Sequence, residues 1–133
     1  MNIRGHRIGS GEIESVILSI DVVKEVSVID TENMITGKSI VLFVSTKKNY
    51  KKTVLYLKNK INSKILNIFG KFAIPDKIIF VKDLPKTKSG KILRRLLRNI
   101  YLGKDCSSYG DLSTILDSSV VKEIEKAVQM SSY

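Results

Sequence analysis

A chain of 133 residues carrying 23 Lys and Arg against 13 Asp and Glu, net charge +10, is long enough for one domain with its own core. The 43% hydrophobic and 27% charged fractions are those of globular proteins. No apolar run approaches the roughly 20 residues of a membrane span, and no apolar stretch follows the first charges, which argues against a signal peptide. Cys106 is the single cysteine and His6 the single histidine. An internal disulfide and a Cys/His metal cluster are therefore excluded, and a reducing, cytoplasmic setting is expected.

In chain order, Ser10 followed by Glu12 and Glu14 suits a helix start, and Ile13, Val16, Ile17 and Ile20 recur at helical spacing. Val26 and Val28 alternate with polar neighbours and predict a strand. Thr36-Gly37-Lys38 predicts a turn. Residues 39–46, with Ile40 to Val44 unbroken, predict a buried strand. Val54, Leu57, Ile61, Ile65 and Ile68 predict a long amphipathic helix ended by Gly70. Pro75 leads into a strand over 77–81, and Leu84 to Gly90 reads as a loop. Ile92, Leu93, Leu96, Leu97 and Ile100 mark one face of the next helix, with Arg94, Arg95 and Arg98 largely on the other. A linker over 103–113 precedes a last helix over 117–128. The order α-β-β-α-β-α predicts an α+β domain, a small three-stranded sheet covered by helices. It spans 1–133, with a core over 2–102 and a tail over 103–133.

The charge is clustered. Seven lysines and no acid lie between Lys47 and Lys64, and eight basic residues face Asp83 alone between Lys82 and Lys104. Both clusters would attract phosphates, nucleotides, nucleic acid or an acidic protein surface, and a solvated lysine surface would look the same. The second cluster contains Pro85-Lys86-Thr87-Lys88-Ser89-Gly90-Lys91. Proline stiffens one end of this loop, and glycine frees the other to approach a ligand. Lys91 sits where the next helix would begin. The pattern is not a Walker loop, because no glycine precedes Gly90 at the required spacing. An ordinary surface loop tied down by serine and glycine would carry the same residues.

The run from Pro85 to Ile92 resembles the P-K-T-x-S-G-K-[IL] signature of adenylate-forming enzymes, and Leu93-Arg94-Arg95-Leu96-Leu97-Arg98 resembles its continuation in CoA ligases. Asn2 to Gly9, followed by Glu12-Ile13-Glu14, resembles the family's N-V-S-G-H-R-[IL]-G…E-[IV]-E. Tyr109 to Asp117 resembles the L-G-D-x-S-T-L-x-D tail of acetyl- and propionyl-CoA synthetases. Three blocks in order over 2–124 point to the C-terminal domain of an AMP-forming acetate–CoA ligase.

The resemblance implies a reaction of acetate, ATP and CoA giving acetyl-CoA, AMP and pyrophosphate, with Mg2+. A large N-terminal adenylation domain would carry the nucleotide loop and the acyl pocket. The small domain would rotate between one pose for adenylation and another for thioester formation. Lys91 matches the lysine that enters the site during adenylation, and that lysine is also a regulatory acetylation site, which implies an acetyltransferase and a deacetylase as partners. Arg7 matches a nucleotide-contacting arginine. Arg4 and Gly5 match positions beside CoA, although serine is usual at Arg4. His6 matches a family histidine expected to help structure the turn. The carbonyls of Leu18, Ile20 and Val23 match a structural cation site, with Ile20 in place of a usual histidine. Leu66 aligns with an arginine that contacts the CoA phosphate, and leucine cannot pair with phosphate.

The family hinge is expected just before Asn2, so the chain is expected to fold but to be inactive without the large domain. No membrane or nucleic-acid partner is expected. The alternatives are a basic module binding phosphate or nucleic acid through Arg94, Arg95 and Arg98, and an inactive remnant of a split ligase gene.

Overall fold

A computed structural model describes residues 2–3, 6–33, 37–48, 50–104 and 117–131. Its centre is a mixed sheet in the order β3-β4-β5, formed by Val23–Asn33, Gly37–Thr46 and Lys77–Phe80. β3 and β4 run antiparallel, whereas β4 and β5 run parallel. A parallel neighbour needs a crossover connection, which α2 (Val54–Ile68) supplies. The unbroken apolar run Ile40–Val44 takes the middle strand, where both faces are covered.

Alternation along β4 divides the core in two. Ile40, Leu42 and Val44 join Val26 and Val28 against α1 (Ser10–Leu18) and α2. Val41 and Phe43 join Ile29 and Ile79 on the other face, against α3 (Arg94–Tyr101) and α4 (Ser119–Met130). The result is three layers of an α+β domain, in the element order expected from the sequence.

Details differ where tertiary contacts overrule pattern. On α2, Leu57, Ile61 and Ile65 are fully buried, but Val54 is 50% and Ile68 54% exposed. The buried stripe is therefore narrower than the predicted one. The Thr53 side chain caps this helix by accepting the Tyr56 N–H at 3.1 Å. Gly70, at φ 105, ends it in a conformation that favours glycine. Ile92 and Leu93 precede α3 instead of opening it. Two short strands not read from the sequence, β1 (Asn2–Ile3) and β2 (His6–Arg7), form an antiparallel pair.

Glu14 is not merely an acidic residue near a helix start. It is buried, accepts the Val28 N–H at 2.8 Å, and pairs with Arg94. Arg98 pairs with Asp30 and also donates from Nε to the Asp30 carbonyl at 3.1 Å. β3 is an edge strand, and these two side chains satisfy main-chain groups that β4 cannot reach.

Candidate functional site

The loop holding Lys91 is a short β-hairpin. Lys86 and Ile92 form its bridge, the Thr87 N–H donates to the Lys91 carbonyl at 2.9 Å, and the Leu93 N–H donates to the Pro85 carbonyl at 2.9 Å. Its three-residue tip, Lys88 to Gly90, is closed by the Gly90 N–H donating to the Thr87 carbonyl at 2.9 Å. Gly90 sits at φ 94. A left-handed residue at the third tip position is a recurring hairpin solution, which is why glycine falls there. The Thr87 hydroxyl accepts the Lys91 N–H at 3.2 Å and lies 2.9 Å from the Ser89 hydroxyl. Thr87 thus braces the tip from inside.

Lys91 is exposed on the returning limb, three residues before α3, not at the helix junction expected from the sequence. No carboxylate among the described residues pairs with its ammonium, whereas three nearby basic side chains are neutralised. Lys86 reaches Glu25 at 2.5 Å, and Arg94 and Arg98 are held by Glu14 and Asp30. Burial alone would raise the Asp30 pKa. The hydrogen bond from Lys38 and then the charges of Arg98 and Lys38 outweigh it, leaving the carboxyl below its ordinary value. On the incoming side, Lys24 and Asp83 pair at 2.9 Å, which raises the lysine pKa above its ordinary value, the Asp83 hydrogen bond being the main cause. The three cations expected from sequence to crowd this loop are therefore unequal. Lys86 is an anchor, while Lys88 and Lys91 project into solvent.

Arg7 is exposed on β2, opposite Asn2. Ile3 and Ile8 tie this segment to the core on the α1 and α2 face, whereas Leu84, Ile92 and Leu93 tie the Lys91 hairpin to the opposite face. The two candidate segments therefore hang from different sides of the sheet. Arg4 and Gly5 lie outside the described residues, as do most of the Tyr109–Asp117 block and the His6 side chain. Leu66 is 44% exposed near the end of α2 and presents only hydrocarbon where the resemblance expects a phosphate contact.

Leu18, Ile20 and Val23 lie around the turn from α1 into β3. The Ile20 carbonyl already accepts the Val23 N–H at 3.0 Å, and the Ile20 and Val23 side chains are buried. A cation there would have main-chain oxygen alone from these three residues. Among the described residues, no group of three His, Cys, Asp or Glu could hold a metal ion, and no helix is long and apolar enough to cross a membrane. Arg94 and Arg98 are committed to ion pairs, so a phosphate-binding surface built on Arg94, Arg95 and Arg98 loses two of its three cations. Sequence reasoning missed Glu25 and Glu14. Nothing local in the sequence links them to a loop some sixty or more residues away.

The family model for the AMP-binding enzyme C-terminal domain matches residues 12–91. An acetyl-coenzyme A synthetase of Coprinopsis cinerea is 39% identical over 131 residues, which are 96% of this chain and 20% of that protein. One from Wolinella succinogenes is 39% identical over 129 residues, 95% of this chain and 19% of that protein. The chain thus spans about a fifth of the length of these curated relatives. Among solved structures, a Brucella canis acyl-CoA synthetase superposes with a TM-score of 0.65 at 31% identity, over 72% of this chain and 18% of that one. An acetoacetyl-CoA synthetase from Streptomyces lividans superposes with a TM-score of 0.80 over 96% of this chain and 19% of that one, a likeness of fold at 20% identity. With the hairpin, the three-layer fold and these matches together, the chain belongs to the family of AMP-binding enzyme C-terminal domains.

Proposed function

We propose that this domain serves as the mobile C-terminal part of an AMP-forming acetate–CoA ligase, and that Lys91 acts in its adenylation step. The observation that carries the reading is the Lys91 hairpin, whose braced returning limb presents an ammonium that no carboxylate among the described residues pairs, while Lys86 and Arg94 beside it are neutralised. In adenylation a carboxylate oxygen attacks the α-phosphorus of ATP, the bond to the bridging oxygen breaks, and pyrophosphate leaves. Negative charge on the phosphoryl oxygens grows at the transition state, and a positioned ammonium stabilises it. Nothing covalent is asked of Lys91. Its long stem reaches, and the hairpin fixes where the stem starts. Mg2+ would accompany ATP on the large domain and neutralise phosphate charge there.

CoA thiol then attacks the acyl carbon and AMP leaves. The placement of Arg7 and the Lys91 hairpin on segments tied to opposite faces supports two poses, each turning one segment toward the large domain. Arg7 would contact nucleotide phosphate. Arg4 and Gly5 would lie beside CoA, and the main-chain oxygens of Leu18, Ile20 and Val23 would hold a structural cation without entering any step. Acetylation of Lys91 by an acetyltransferase would remove the charge adenylation needs, and a deacetylase would restore it. A cytoplasmic location fits this chemistry.

The test joins this chain at Asn2 to the large domain of an acetyl-CoA synthetase lacking its own small domain. Acetyl-CoA formation from acetate, ATP and CoA should return. A fusion in which both parts melt cooperatively, yet no acetyl-CoA forms, overturns the reading.

A further inference from the structure

Six ion pairs are present among the described residues, and four of them flank the Lys91 hairpin. Lys24–Asp83 and Glu25–Lys86 hold the limb that enters it. Arg94–Glu14 and Arg98–Asp30 hold the helix that leaves it. Every partner outside the hairpin and α3 belongs to one continuous stretch, α1 and β3. We propose that Glu25 is the positioning residue of the Lys91 hairpin, acting through Lys86 to hold the loop at the angle from which Lys91 reaches its anion. This inference rests on the proposed function for what Lys91 does, but not for how the hairpin is held.

Several observations single out Glu25–Lys86. It is the one pair of the four whose two partners are both mostly enclosed, with side-chain exposures of 17% for Glu25 and 22% for Lys86; in the α3 pairs Glu14 and Asp30 are as enclosed, but Arg94 is 45% and Arg98 42% exposed. An exposed pair holds little, because water competes for both charges, whereas breaking an enclosed pair strands a charge. The second carboxylate oxygen of Glu25 is buried without a hydrogen-bond partner. Ser45, opposite Glu25, and Ser27, two residues along, likewise carry buried hydroxyls without one. Among the described residues, Lys86 is thus the only side chain that hydrogen-bonds Glu25.

The position of Lys86 also matters. Its bridge to Ile92 is a rung of the hairpin, five residues before Lys91, between the Pro85–Leu93 and Thr87–Lys91 hydrogen bonds. Fixing the Lys86 ammonium to the sheet therefore fixes the hairpin as a unit. The adjacent Lys24–Asp83 pair has the opposite polarity. A slip of the limb that brought Asp83 toward Glu25, or Lys86 toward Lys24, would oppose like charges, so the two pairs set register as well as attachment.

Two measurements test the inference. In this chain, amide exchange of Thr87, Lys91 and Leu93 reports the hairpin, and that of Phe43 reports the core. Glu25→Gln should speed the first three roughly tenfold or more, as loss of a hydrogen bond between charged groups does, and leave Phe43 unchanged. In the fusion described above, Glu25→Gln and Lys86→Met should slow acetate-dependent ATP–pyrophosphate exchange on the order of tenfold. Thioester formation from supplied acetyl-adenylate should keep its rate. The exchanged pair Glu25→Lys with Lys86→Glu should recover most of the loss.

Unchanged hairpin amides, an equal fall in both half-reactions, or no recovery in the exchanged pair would overturn the positioning role. Lys91→Ala in the same fusion separates the two claims. If adenylation survives it, the functional reading fails, while the amide measurement still decides whether Glu25 holds the hairpin.

Discussion

Gly90 shows how one position can be demanded by backbone shape alone. Its φ is 94, and a Cβ added there would meet nothing within 4 Å. Gly90→Ala should therefore cost about 1–2 kcal/mol through backbone conformation without any clash, read as a lower urea midpoint at unchanged slope. Asp30 makes a different demand. Its carboxyl lies below its ordinary pKa because Lys38 and Arg98 outweigh the effect of burial. A depressed acid stabilises the fold above its unfolded pKa, and that contribution fades as pH falls through the folded value. Urea unfolding between pH 7 and pH 3 should show stability falling with acid, and Asp30→Asn should flatten the fall. At this scale the sequence was partly legible. Thr87, Gly90 and Lys91 lie within five residues of one another, so local spacing exposed them, whereas the partners of Lys86, Arg94 and Arg98 lie 61, 80 and 68 residues away and left no local mark.

Elements with a strong period were legible. The unbroken run from Ile40 to Val44 and the spacing of Leu57, Ile61 and Ile65 reflect burial, which periodicity reports directly. The two-residue strands Asn2–Ile3 and His6–Arg7 are too short to show a period. The start of α3 was misplaced because Ile92 and Leu93 are apolar for the sake of the hairpin and its core, not of the helix. Glu14 joins three elements, since it sits on α1, accepts the Val28 N–H of β3 and pairs with Arg94 of α3. Glu14→Ala should cost about 2 kcal/mol, because it removes charged hydrogen bonds and leaves an edge-strand amide uncovered. Equilibrium unfolding checks this, and a loss within a few tenths of a kcal/mol of zero would show that the pairing is decorative.

For the whole molecule, the pattern of neutralised and unneutralised charge matters more than the net +10. Acids of α1 and β3 hold Lys86, Arg94 and Arg98, while Lys91 stands on the returning limb of a braced hairpin, with no carboxylate among the described residues pairing its ammonium. The basic cluster was visible in the sequence, but its division into anchors and a working cation needed the fold. The measurement that bears most directly on this account is the ratio of the two half-reactions in the joined ligase when Lys91 becomes alanine. Acetate-dependent ATP–pyrophosphate exchange should drop by on the order of a hundredfold or more, with thioester formation from acetyl-adenylate nearly intact. Equal loss in both, or no loss in the first, would contradict it.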